Sequence, residues 1–335
     1  MSDSVFLERG VSALKSDAIV HLGNFFGALK GSLDGQDLYA RSNFLFIADR
    51  HYLVDFDADV DLKGRNHALV RDFIALGFDP QRTVIYRQSD IRELFTIMWL
   101  LNCHTPAKEL LERKDFTGAV DPSLAQVLYP QLMAADVLGL RATQVYVGPD
   151  EADHVAYCRE IAGFINGAAE SLVLPPPRRR GPISENMIMG PGGARMSQTN
   201  RNIIPIFGDE RAIHRCFQQI PVSKVRRREP INPDDDICFN LFELMATGDV
   251  AAELKTKYLE AEVDQDEARA FVEEQFFKFF SNAREQRKQK SMSEIDVEEI
   301  LQSGQQRVRR EMRNTISILE DMLYYNVGSK SSRAV

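Results

Sequence analysis

His21-Leu22-Gly23-Asn24 is the first stretch in which residue types suited to phosphate chemistry stand side by side. With Phe25-Phe26-Gly27-Ala28-Leu29 behind it, the tetrapeptide falls where a first strand should turn into a helix. A helix start offers free amides and the positive end of a dipole to phosphate. His21 and Asn24 add donors that steady the oxygens of a pentavalent phosphorus as negative charge builds on them. Gly23 and Gly27, four apart, leave one helical face bare for a flat ring or another backbone. Capping and packing explain the tetrapeptide equally well, so the phosphate reading needs partners.

Partners follow in order along the chain. Ile47-Ala48-Asp49-Arg50-His51 closes a strand, where an open sheet places its ligand contacts. Tyr129, Met133 and Asp136 share one helical face at i, i+4 and i+7. A carboxylate on an otherwise apolar face is costly unless a donor meets it. Val147-Gly148-Pro149-Asp150-Glu151-Ala152-Asp153-His154 leaves another strand and opens a helix. Met189-Gly190-Pro191-Gly192-Gly193 then leads into Ala194-Arg195-Met196-Ser197-Gln198-Thr199-Asn200, a Gly-rich loop carrying one cation and two hydroxyls.

The elements that must hold these residues are strands alternating with helices, which predicts an α/β fold with a parallel sheet covered by helices. Near-continuous apolar runs place strands at 5–7, 43–48, 83–87, 144–147 and 186–189. Leu62, Leu69, Phe73 and Ile74 recur at helical spacing over 61–76, and Gly77 is placed to stop that helix. The stretch 174–182, LPPPRRRGP, reads as an irregular extended connection. Beyond Phe207 only helices are expected, at 210–219, 236–246, 264–280 and about 294–325, the last with Ser293 as N-cap and Asp296 three residues on. This predicts a catalytic unit over 1–205, an all-helical unit over 206–327 and a fraying tail over 328–335.

Composition limits what such a chain does. The 335 residues suit roughly two domains, and 44% hydrophobic with 27% charged residues is enough for a real core. A net charge of −8 excludes a uniformly basic nucleic-acid coat but leaves local basic faces open. No run suits a membrane span and the first seventeen residues lack a signal-peptide pattern, so a soluble cytoplasmic protein is expected. Cys103, Cys158, Cys216 and Cys238 form no C-x-x-C pair, which predicts reduced thiols, with Cys103 and Cys158 as buried small hydrophobes, and no metal site.

The ordered set from His21 to Asn200 resembles the class I aminoacyl-tRNA synthetases, specifically the tryptophanyl-tRNA synthetase family. There the HIGH-type signature often reads H-L-G-N, and the later ones read Y-P-x-L-M-A-A-D-I-L, V-G-E-D-Q-K-Q-H and K-M-S-K-S. Residues 129–138, YPQLMAADVL, are nearly that family's text. The resemblance implies a Rossmann-like catalytic domain with a C-terminal helical domain, ATP with Mg²⁺, tryptophan or an indole relative, tRNA, and a homodimer. It implies catalytic roles for His21, Asn24, Arg195 and Ser197. His51, Tyr129, Met133, Asp136, Val145, Val147 and Glu151 would surround the amino acid, and Asp136 would accept the indole N–H. Gly23, Lys15, Gly148, Asp150, Met189 and Gln198 would face the nucleotide.

Three departures carry expectations. The family's G-x-x-P-[ST]-G turn is replaced by Gly10-Val11-Ser12-Ala13-Leu14-Lys15-Ser16-Asp17. Glu151 stands where the family has glutamine, which favours an amine over a carboxylate. Gln198 replaces the second lysine of K-M-S-K-S and leaves the pyrophosphate short of a cation, so Gln198→Lys is expected to speed adenylation, with Lys15 as the alternative supplier. Two other outcomes stay open: a paralogue that serves a non-translational acceptor, and a non-catalytic binder of tryptophan or tRNA. Lys224 with Arg226, Arg227 and Arg228, Arg284 with Arg287, Lys288 and Lys290, and Arg307 with Arg309, Arg310 and Arg313 read equally as tRNA-phosphate contacts or solvated faces.

Overall fold

The computed structural model describes residues 6–39, 42–55, 61–113, 121–181, 187–221, 230–289 and 292–322. Five parallel strands form one sheet: β1 (Gly10–Leu14), β2 (Asn43–Ile47), β3 (Thr83–Arg87), β4 (Gln144–Tyr146) and β5 (Arg178–Arg180), in the order β3-β2-β1-β4-β5. Gly10 to Leu14 pair in register with Asn43 to Ile47, and those with Thr83 to Arg87. In β2 alternate side chains serve opposite faces. Leu45 and Ile47 join one apolar core while Phe44 and Phe46 join the other, the two-sided burial that keeps parallel strands apolar throughout.

Two expected strands are corrected. The first strand lies at Gly10–Leu14 rather than 5–7, so the segment read as a remodelled loop is in part the central strand. Its GVSAL sequence has small residues because Gly10 packs against Asn43, Tyr39 and Tyr146. Residues 187–188 are outside regular structure and Met189 only bridges to Arg195, while residue 186 lies outside the described residues. The fifth strand is the arginine run of the proline-rich stretch instead. An edge strand pairs on one side only, so prolines before it are tolerated.

The helices named below are α1 (Lys30–Leu38), α2 (Leu62–Ala75), α3 (Glu93–Asn102), α4 (Tyr129–Gly139), α5 (Ala152–Ala169), α6 (Glu210–Gln218), α7 (Ile237–Glu243), α8 (Gly248–Leu259), α9 (Gln265–Phe279), α10 (Ser281–Gln289) and α11 (Glu294–Glu320). Gly77, at φ +106°, stops α2 with the Phe78 amide bonded back to Phe73. Ser293 and Asp296 form the expected capping box of α11, and residues 323–335 lie outside the described residues.

The C-terminal helices pack on the sheet unit at two places that position the site. Phe279 and Phe280 meet Phe25 and Phe26 of the signature helix, the helical turns Leu22–Asn24 and Phe25–Leu29 that lead into α1, with centroids 4.8–6.3 Å apart across the group. Helix α11 returns to β3 at Gly304, where a Cβ would stand 1.9 Å from the Ile85 carbonyl oxygen. Glu298 takes a bidentate pair from Arg87 at 2.9 and 3.0 Å, and Glu93 takes Arg309 and Arg313, each at 2.9 Å. Arg284 is buried on the Ile206 and Gly208 carbonyls and Arg287 pairs with Asp72 at 2.6 Å. Four described members of the basic clusters, Arg284, Arg287, Arg309 and Arg313, therefore tie the helices to the sheet unit or to one another. Arg310 is exposed and Lys288 reaches Glu210, whereas Lys224, Arg226, Arg227, Arg228 and Lys290 fall outside the described residues. Cys158 is buried as expected, while Cys103 is exposed because it caps the end of α3 at the surface. Among the described residues no helix is long and apolar enough to cross a membrane.

Candidate active site

In this strand order the chain reverses direction across the sheet between β1 and β4, and a crevice opens outside their carboxyl ends. A cavity of about 670 Å³ fills it, lined by the ends of β1, β2 and β4 together with α4. Its inner part gathers His51, Tyr129, Met133, Asp136, Val145 and Val147, and its outer part Lys15, His21, Asn24, Glu151 and Gln198. A second cavity of about 310 Å³ shares His21, Asn24, Glu151 and Gln198 and adds Gly23, Gly148, Asp150, Arg195 and Ser197. The structure thus brings together all the sequence-predicted residues except Met189. That residue is tied into the 189–195 hairpin, and Met187 and Ile188 line the cavity in its place.

At the inner end Asp136 is fully buried. Its Oδ2 accepts from Gln88 Nε2 at 2.5 Å, and its Oδ1 has no partner. Burial raises the Asp136 carboxyl well above the usual range, opposed by the Gln88 hydrogen bond. An orphaned carboxylate oxygen at the end of an apolar slot is a place built for a ligand donor. Gln88 is the residue that sequence reasoning missed. Its Oε1 accepts from the amides of Arg50 and His51 at 3.1 and 3.3 Å, and its Nε2 stands 2.9 Å from His51 Nδ1. The one available signal was its place directly after β3, at the ligand-facing edge of the sheet. The walls are rings packed edge to face: Tyr129 meets His51 at 4.4 Å and His154 at 5.9 Å. Burial holds the His51 imidazole down at about 4, with the Gln88 hydrogen bond opposing.

Glu151 starts the turn into α5 and lies 3.2 Å from His154 Nδ1. Burial raises its carboxyl, against the pull of His154. Lys15 lies 5.5 Å above the Tyr129 ring, which brings its ammonium to the cavity wall.

At the outer end His21 caps the signature helix. Its Nδ1 accepts from the amides of Gly23 and Asn24 at 3.0 and 3.3 Å, while Asn24 Oδ1 accepts from the His21 amide at 2.8 Å. The capping and phosphate readings are therefore compatible. With Nδ1 occupied as an acceptor, a neutral ring carries its proton on Nε2, and burial keeps it neutral by lowering the group to about 4. The bare surface expected at Gly23 is used by the protein itself: an added Cβ would lie 2.9 Å from His21 Cε1 and 3.1 Å from Met196 Cβ. Open space lies at Gly27, where nothing stands within 4 Å.

Two observations concern the Gly-rich loop. The Arg195 guanidinium is bound by Asp150 at 2.5 Å. Gln198 is spent on backbone: Oε1 accepts from the Ile19 amide at 2.7 Å and Nε2 donates to the Asp17 carbonyl at 2.8 Å. A lysine there cannot accept from Ile19, so Gln198→Lys would break this tie as well as add a cation.

A family model described as tRNA synthetases class I (W and Y) matches residues 14–281. The tryptophan–tRNA ligase of Fusobacterium nucleatum is 32% identical over 312 residues, covering 90% of this chain and 94% of the relative. That of Neisseria meningitidis is 29% identical over 330 residues, covering 94% and 97%. The crystal structure of Campylobacter jejuni tryptophanyl-tRNA synthetase complexed with ADP and tryptophan superposes with a TM-score of 0.78 at 26% identity, over 96% of this chain and 99% of that one. The Mycoplasma pneumoniae tryptophanyl-tRNA synthetase, at 22% identity, shares the fold with a TM-score of 0.79 over 97% and 100%.

Proposed function

This chain belongs to the class I tRNA synthetases of the tryptophan and tyrosine group, and we propose that it activates tryptophan with ATP and passes the acyl group to tRNA. The observation that carries the reading is the unpartnered Oδ1 of Asp136 at the closed end of the apolar slot. An indole N–H satisfies it, and phenylalanine leaves it unpaired at a cost of about 1–3 kcal/mol. Tyr129, Met133, His51, Val145 and Val147 enclose the ring, and Glu151 faces the ammonium end.

The nucleotide lies over the open helix face at Gly27, between Gly148, Ile188 and the loop bearing Arg195 and Ser197, which line one cavity. A tryptophan carboxylate oxygen attacks the α-phosphorus. The bond to the bridging oxygen breaks, and pyrophosphate leaves with that electron pair. His21 donates from Nε2 as a neutral group, steadying phosphate oxygens without transferring a proton. The remaining N–H of Asn24 Nδ2, whose other N–H donates to the Ile19 carbonyl at 3.0 Å, and the dipole of the helix act in the same direction. A terminal hydroxyl of tRNA then attacks the carbonyl, and AMP departs. Mg²⁺, bound together with ATP, would supply neutralising charge to the phosphates.

We extend the reading to a cytoplasmic homodimer. Phe95 and Trp99 share one exposed face of α3, 48% and 68% accessible, an unusual display of aromatic surface. Pyrophosphate exchange into ATP with tryptophan, tyrosine and phenylalanine, followed by charging of total tRNA, tests the function. Exchange with tryptophan and charging of one isoacceptor are expected. Exchange without charging refutes the acceptor, and no exchange refutes the activity.

A further inference from the structure

With Arg195 paired to Asp150 and a neutral Gln198 turned into backbone, the outer end of the site has one loop cation partly offset by a carboxylate and none at position 198. That anion still needs a cation, because its negative charge grows in the transition state. Arg65 is at hand. It stands in the first turn of α2 and lines the main cavity together with Lys15, Asp17, Gln198 and Thr199. The neighbouring cavity, which is bordered again by Asp17, Ala18 and Gln198, also has Arg65 on its wall. Arg65 is exposed, and no carboxylate among the described residues pairs with it. By contrast Arg287, on that same wall, is committed to Asp72. The first turn of a helix also disfavours a cation, since the dipole is positive there. Here that turn holds Lys63 and Arg65, with Asp61 as the acid at its N-cap.

Resting on the tryptophan-activation reading, we infer that Arg65 supplies the pyrophosphate cation in this chain. Gln198 is a positioning residue: its paired hydrogen bonds to Asp17 and Ile19 fasten the Gly-rich loop to the segment between β1 and the signature helix, beside Arg65. One loop residue of the family's pattern has thus become a latch, and its charge is provided from α2.

Single-turnover adenylate formation and its reversal by inorganic pyrophosphate test the assignment on the full chain. Arg65→Gln should slow both by about tenfold or more with tryptophan affinity unchanged, and Arg65→Lys should keep most of the rate. Gln198→Lys alone should not accelerate the step, but in the Arg65→Gln background it should return part of the lost rate. A wild-type rate in Arg65→Gln, or acceleration by Gln198→Lys alone, overturns the inference. Absence of tryptophanyl adenylate in the wild type refutes the activity instead. Calorimetric binding of inorganic pyrophosphate then still tests Arg65, with equal affinities in wild type and Arg65→Gln counting against it.

Discussion

The two ends of the crevice are built by different physics. At the inner end Asp136, Gln88 and His51 are buried, and a chain of hydrogen bonds between side chains fixes them. At the outer end Arg65 and Arg195 are exposed, and the segments that carry the chemistry are held by side-chain to backbone bonds from Gln198 and His21. Burial makes an unpaired polar atom expensive, so the inner end discriminates between ligands. Exposure screens charge and tolerates rearrangement, so the outer end changes its residues while keeping its task.

Acid should affect both ends and give the largest change in stability. His21 and His51 are each held down at about 4, whereas an unfolded histidine titrates near 6.5. The folded chain resists protonation between those values. The stability these groups contribute is complete above about pH 6.5 and is lost as pH falls toward 4, by up to about 3 kcal/mol for each histidine. Urea midpoints between pH 7 and 4.5 should show this fall, and His21→Asn, which keeps a capping side chain, and His51→Asn should each flatten it. An unaltered slope in both variants contradicts the burial argument.

Asp136→Asn separates stability from recognition at the inner end. Burial raises the carboxyl of Asp136, so at neutral pH the ligand-free protein carries the cost of a buried, half-satisfied acid. The amide should raise the melting temperature of the ligand-free protein and weaken tryptophan binding by about 1–3 kcal/mol. A lower melting temperature with undiminished affinity would reverse both signs. Gln88→Leu should cost about 1 kcal/mol in tryptophan KM with little change in kcat, because Gln88 orients Asp136 rather than touching the reacting atoms; an effect confined to kcat would place it elsewhere. Smallest is Glu151→Gln. Comparing tryptophan, tryptamine and indole-3-propionate, the wild type should tolerate tryptamine a few-fold better than the variant does, with indole-ring preferences unchanged. Identical rankings in the two forms would turn Glu151 away from the ligand.

The same contrast decides what the sequence made legible. Residues 129–138 revealed Asp136 and its face because one helix carries them at fixed spacing. Gln88 was hidden, since its role exists only where β3, α4 and the turn after β2 meet. The central strand escaped because its Gly and Ser answer to neighbours on other elements, Asn43 and Tyr146, rather than to an apolar run. At the outer end Gln198 was visible as a departure, but its two bonds to residues nearly 180 positions away in the chain were not. Residue type announced the lost charge, and only the fold showed what replaced it.

Asp136 Oδ1 should receive the indole N–H in a dry slot. Calorimetric titration of the wild type and Asp136→Ala with tryptophan and with its benzothiophene analogue, in which sulfur replaces the N–H, isolates that contact. The wild type should prefer tryptophan by about tenfold or more, and Asp136→Ala should bind the two ligands alike. An equal preference for tryptophan in both proteins would mean that the N–H bonds elsewhere and that Asp136 is not the residue that reads the ring.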